Sequence, residues 1–224
     1  TPRRPCLACT KRQAKRFLGS STMFSLVFTA DGHYLLADGG NGIAVTELIR
    51  STWVDFPVTP TDTWPVERQT STNMSSLAPH PNGRFLAGIR HHHAAVDEGP
   101  TGAQQGVVVW DVRDVRAPRP VVVLLDRTEI RRRPSAQWPL RLVGHEGHVN
   151  DVTFSPDGTL LATAGSDPTV LIWDTNDLPQ LRLMAILDTP RPTRQVTFSA
   201  DGQLLATCDG TTATLWNSPT ATNE

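Results

Sequence analysis

Cysteine is scarce in these 224 residues: only Cys6, Cys9 and Cys208 occur. So small and odd a number excludes a disulfide framework and fits a reducing compartment, which predicts a cytoplasmic protein. Cys6 and Cys9 have CxxC spacing, but no second pair completes a zinc ribbon, and no strand-to-helix context makes the pair a redox motif. Lysine is scarcer still, with Lys11 and Lys15 the only examples, so arginine carries nearly all the positive charge. The net charge of -1 gives no overall pull toward nucleic acid or membrane. No apolar run is long enough for a membrane span, and no signal peptide is visible after Thr1. A phosphate loop, a nucleophile elbow and a dinucleotide fingerprint are all lacking. Nothing assembles a nucleophile, a base and an orienting acid, so no enzyme is predicted.

What the chain does have is a repeat. "VTFSPDGTLLAT", Val152 to Thr163, returns as "VTFSADGQLLAT", Val196 to Thr207, with ten of twelve positions identical and an offset of 44 residues. Weaker copies are "LAPHPNGRFLAG", Leu77 to Gly88, and "LVFTADGHYLLAD", Leu26 to Asp38, the latter read as carrying one extra residue. Each copy has an apolar run, an Asp-Gly or Asn-Gly turn suited to positive φ, and a second apolar run. A third run follows: "TVLIWDT", "TATLWNS", "GVVVWDV" or "GIAVTEL". A fourth is visible in "QLRLMAIL", in "RPVVVLL" and, more weakly, in "TWVDFPV". Four short antiparallel strands in a period of about 40–45 residues make one propeller blade.

The segment "GHEGHVNDVTFSPDGTLLATAGSDPTVLIWD", Gly144 to Asp174, has a Gly-His pair, a Ser-Pro-Asp-Gly turn and a closing Trp-Asp, in that order. It resembles the WD-repeat family, and the resemblance extends in weaker form over about residues 22–218. The second repeat keeps Trp110-Asp111 without Gly-His, the fourth ends Trp216-Asn217, and the first has neither signature. The resemblance implies an all-β propeller of about four WD-type four-stranded blades. They fall at about 22–60, 72–127 (with an insertion at 90–106), 144–188 and 190–218. A basic, flexible segment 1–14 precedes this domain of 15–218, and a tail 219–224 follows it. A strand at 14–20 is a candidate to close the last blade.

The resemblance also decides how to read "HEGH". His145 and His148 stand three apart, not four as in the helical HExxH zinc motif, and an alternating strand-like run follows them. The family's structural tetrad maps to His145, Thr163, Asp167 and Trp173. Asp167 is expected to accept from His145, and Thr163 to link His145 to Trp173, because buried imidazole and indole N–H groups need partners. This is a structural network, with no catalysis and no metal.

The insertion Arg90 to Gly106 carries His91, His92 and His93, followed by Asp97 and Glu98. It reads as a surface loop and a candidate partner-binding element rather than a metal site. The basic run Arg131 to Arg133 and the six basic residues of Thr1 to Ser20 lack the aromatic support that nucleic-acid contact needs. The predicted function is a cofactor-free, non-catalytic protein-interaction scaffold, the sensor or regulatory WD-repeat part of a larger protein. Its protein partners are expected on the propeller faces, with self-association or pairing with the rest of a larger propeller. The alternative is an enzyme propeller with its site in the central channel.

Overall fold

In the computed structural model the described residues are 25–39, 42–47, 72–92, 106–114, 118–125 and 141–219. The candidate closing strand 14–20, the run 52–58 and His93 with the rest of its insertion lie outside them. The described residues are all-β. The first sheet holds β1 (Leu26–Phe28), β2 (Tyr34–Gly39) and β3 (Gly42–Glu47). The second holds β4 (Thr72–Pro79), β5 (Phe85–His92), β6 (Gly106–Asp111), β7 (Arg119–Leu125) and β8 (Arg141–Val143). The third holds β9 (Val149–Phe154), β10 (Leu160–Gly165), β11 (Thr169–Asp174) and β12 (Arg182–Asp188). The fourth holds β13 (Gln195–Phe198), β14 (Leu204–Cys208) and β15 (Ala213–Asn217). Each sheet is one blade, with neighbouring strands antiparallel except β7 and β8.

Two expectations need correction. The second blade has five strands, because β8 pairs in parallel with β7, Leu124 opposite Leu142. The residues just before Gly144 therefore extend blade 2 rather than serving only as a linker. Also, β5 runs through His92, with His91 opposite Asn73 and His92 opposite Thr72. His91 and His92 thus continue a strand, and the insertion begins later than its first histidine.

The turns explain the sheets. Gly32, Gly83, Gly158 and Gly202 all have φ between 68° and 77°, in the region where a side chain is strained. Ahead of three of them a hydroxyl grips the turn aspartate: Thr29 to Asp31 at 2.5 Å, Ser155 to Asp157 at 2.6 Å, Ser199 to Asp201 at 2.5 Å. The backbone closes identically in the first and third blades, Thr29 N–H to Tyr34 O and Ser155 N–H to Leu160 O. The first repeat therefore needs no extra residue.

Strand alternation then sends successive side chains to opposite neighbours. Phe85, Ala87, Ile89, Val107 and Val109 pack with Phe154, Leu161, Leu171 and Trp173 between blades 2 and 3. Leu86, Val108 and Trp110 point the other way and meet Leu36 of blade 1. Leu160, Ala162, Ala164, Val170 and Ile172 face Val196 and Leu205 of blade 4. The innermost strands follow one another in the row β1, β4, β9, β13. Asp151 on β9 joins three of them: Ser76 Oγ donates to one oxygen, and the Val196 N–H donates to the other at 2.8 Å. Ser76 sits at a bulge of β4 with φ of 51°, which is strained for serine.

Candidate functional site

The strands of blade 3 bring His145, Thr163, Asp167 and Trp173 together. His145 is 2% exposed in the turn entering β9. Its Nδ1–H donates to Asp167 Oδ1 at 2.8 Å, and its Nε2 lies 3.0 Å from Thr163 Oγ1. The Trp173 indole donates to the same hydroxyl at 3.2 Å. Asp167 Oδ2 accepts from Thr169 Oγ1 at 2.8 Å and from the Glu146 N–H at 3.2 Å. Burial pushes the Asp167 carboxyl up, but the bond and charge of His145, with Thr169 and Glu146 N–H, pull it down to about 2. Ring, carboxylate and hydroxyl thus bond chiefly to one another and to Thr169 and the Glu146 N–H.

Gly165 makes room for this network. A Cβ there would collide with His145 Nδ1 and Asp167 Oδ1. The ring therefore requires a residue without a side chain opposite it, a dependence that spacing alone does not reveal.

A second buried imidazole, His80, was not singled out by sequence reasoning. It replaces the turn hydroxyl of the other repeats in "HPNG". Its Nε2–H donates to Gly158 O at 2.9 Å, and its Nδ1 accepts from the Asn82 N–H at 3.1 Å. The ring stands edge-on to Phe154, with centroids 4.8 Å apart. Burial holds its pKa below the ordinary 6.5. A Cβ on Gly158 would strike this ring, so the turn glycine of blade 3 also serves blade 2. The available signal was the departure of His80 from the Ser/Thr pattern.

The aspartates of the Trp-Asp pairs lie at strand ends. Asp111 pairs with Arg113 at 2.9 Å and Arg84 at 3.2 Å, and Asp174 with Arg182 at 3.2 Å. They anchor outer turns and do not converge on a common point.

The two end blades differ from the middle ones in one respect. Leu215 and Leu204 occupy the positions of Ile172 and Leu160 in the repeat. The blade-3 pair is 0% and 3% exposed, and the blade-4 pair is 69% and 39% exposed. On blade 1, Leu26 and Phe28 stand where Val152 and Phe154 stand on blade 3. They are 58% and 60% exposed, against 3% and 7%. The bare faces are of opposite kind: blade 4 bares the face that packs on a following blade, blade 1 the face that packs on a preceding one.

Comparison with known proteins agrees with this architecture. The family model "WD domain, G-beta repeat" matches residues 138–174. A curated relative, MST50-interacting protein 11 of Pyricularia oryzae, is 49% identical over 39 residues, 17% of this chain and 12% of that protein. Small ribosomal subunit protein RACK1y of Oryza sativa is 36% identical over 86 residues, 35% of this chain and 25% of its own. Among solved structures, the β-propeller domain of Cps50 (Swd1) from Myceliophteria thermophila superposes with a TM-score of 0.55 at 15% identity. That alignment takes in 89% of this chain and 55% of the solved one. The chain thus matches a quarter or less of these curated relatives and about half of the solved propeller.

Proposed function

We propose that the chain is a WD-repeat β-propeller and a non-catalytic interaction scaffold forming part of a larger propeller ring. One observation carries this reading: the end blades bare two apolar faces of opposite kind at positions that are covered between blades. A blade, unlike a small molecule, is what such a face receives elsewhere in this same chain. Exposed apolar area of this sort marks an association surface. The regulatory role follows from the same premise: a rigid ring presents turns and loops to protein partners. The insertion that carries His91, His92 and His93 is the element we assign to a partner. A cytoplasmic setting is supported by the free thiol of Cys208 and by relatives named as ribosomal proteins.

The tetrad acts here as a rigid internal brace. The rival reading, an enzyme with a site in the central channel, needs acids available on the inner strands. Asp151, the acid of β9, is committed to Ser76 and the Val196 N–H. No helix among the described residues is long and apolar enough to cross a membrane.

The experiment is light scattering on the chain and on its Leu215→Arg and Phe28→Arg variants. The chain is expected to self-associate, and each charge on a bare face to reduce association. Association indifferent to both substitutions overturns the assignment of these faces.

A further inference from the structure

Each blade meets the next through one repeated bond. Seven residues before the turn glycines Gly32, Gly83 and Gly158 stand Ser25, Ser76 and Asp151. Each accepts from a backbone N–H on the innermost strand of the following blade. Ser25 Oγ accepts from Leu77 at 3.3 Å, Ser76 Oγ from Val152 at 3.3 Å, and Asp151 Oδ2 from Val196 at 2.8 Å. The donors are equivalent too, each six residues before its own turn glycine. The two ends of the array hold the unused halves of this junction. In blade 4 the acceptor position is Gln195, which is exposed and whose side-chain amide has no partner among the described residues. In blade 1 the donor position is Leu26. The Thr29 N–H bonds Tyr34 O, and the register sets Val27 opposite Leu36 and Leu26 opposite Ala37. Bonded pairs alternate along an antiparallel ladder, so the Leu26 N–H points away from β2. It has no acceptor among the described residues.

The apolar faces are complementary in the same sense. Val196 packs on blade 3 against Leu160, Ala162, Ala164 and Ile172. Their equivalents on blade 4 are Leu204, Ala206, Cys208 and Leu215, and the equivalent of Val196 on blade 1 is Leu26. We propose that the occupant of both bare faces is a second copy of this chain, set head to tail, with Gln195 Oε1 of each copy accepting from the Leu26 N–H of the other. This rests on the reading of the end faces as association surfaces. A second copy fits because one chain carries both halves of the missing junction, acceptor and socket at one end, donor and knob at the other. Two copies give eight blades, within the range in which propellers close. The chain also covers 55% of a solved propeller, about half of a ring. A twofold axis then relates the two seams, so one association forms both and leaves no face to recruit a third copy.

Cys208 is a built-in probe of this seam. Its counterpart Ala164 is 0% exposed beneath the next blade, whereas Cys208 is only partly covered. The second copy should cover the thiol and slow its reaction with a labelling reagent.

The test is analytical ultracentrifugation of the full chain over a range of concentrations. A particle of twice the chain mass is expected, with nothing larger. Leu215→Arg and Phe28→Arg should each give a monomer. An equimolar mixture of the two should regain a weaker dimer, because one of its two seams joins unaltered faces. Gln195→Ala should weaken the dimer about tenfold, and Gln195→Asp, which supplies the carboxylate used by blade 3, should tighten it again. The Gln195 amide has no partner within the described chain, so neither change should move the melting temperature of the Leu215→Arg monomer. In a Cys6→Ser/Cys9→Ser background, Cys208 should lose reactivity as the dimer forms. The proposal is overturned by a monomer at all concentrations, by particles larger than two copies, or by a dimer indifferent to both changes at Gln195. Association that survives both arginine substitutions overturns the association-surface reading of the end faces itself. Association lost in both variants but not restored by mixing overturns only the head-to-tail pair.

Discussion

Replacing His145 with alanine tests the brace of blade 3 most directly. The ring is 2% exposed and makes two bonds that matter. The bond to the Asp167 carboxylate involves a charged group and is worth about 1.5–3 kcal/mol, and the contact with the Thr163 hydroxyl about 0.5–1.5 kcal/mol. Two effects limit the loss. Asp167 keeps Thr169 and the Glu146 N–H, and Thr163 keeps the Trp173 indole. The hole left behind is polar and can admit water, which restores part of the bonding. The net cost should be about 2–3 kcal/mol. For a chain of this size each kcal/mol lowers the melting temperature by about 2–4 °C, so a fall of about 5–10 °C is expected by circular dichroism. A second readout is independent of melting: without the ring, the Asp167 carboxyl should titrate above its present value of about 2. An unchanged melting temperature in His145→Ala would refute the brace, and tightly bound stoichiometric zinc lost with His145 would replace it with a metal site.

Gly165→Ala should destabilise the native chain by about as much as removing the ring; in the His145→Ala background the clash with the ring is gone but that with Asp167 Oδ1 stays, so the two costs should be less than additive, and a double-mutant cycle measures this coupling. Asp167 has a folded pKa below its ordinary 3.8, so its contribution is complete above that range and is lost as pH falls through about 2. With screening at a partly exposed site it amounts to about 1–2 kcal/mol, and acid denaturation of Asp167→Asn against the parent chain reads it. His80 is a base with a lowered folded pKa. The unfolded chain therefore takes up its proton first, and stability should fall as pH drops below 6.5, a slope that denaturant midpoints should show flattened in His80→Gln.

The sequence made the blades legible wherever the information was local. The twelve-residue repeat with its Asp-Gly turn places β9, β10, β13 and β14, since hydroxyl, aspartate and glycine fix the hairpin within a few positions. The four tetrad positions were legible by the same route, because family spacing fixes them on neighbouring strands. What escaped depends on long-range contact. β8 pairs in parallel with a strand that ends sixteen residues earlier, and parallel pairing leaves no turn signature. The His80 partner, Gly158 O, lies 78 residues away in the next blade. The strand character of His91 and His92 comes from the opposing Asn73 and Thr72, not from their own propensity.

Asp151 has a consequence for how the array comes apart. In a repeat protein each unit ordinarily touches only its neighbours, so melting can spread one unit at a time. One carboxylate that holds Ser76 with one oxygen and the Val196 N–H with the other ties a blade to both of its neighbours at once. Opening blade 4 frees the oxygen that accepts from Val196 and loosens a carboxylate whose other oxygen accepts from Ser76 at the strained bulge of blade 2. Blades 2, 3 and 4 should therefore exchange their inner-strand amides as one cooperative block, whereas blade 1, outside that clasp, frays on its own.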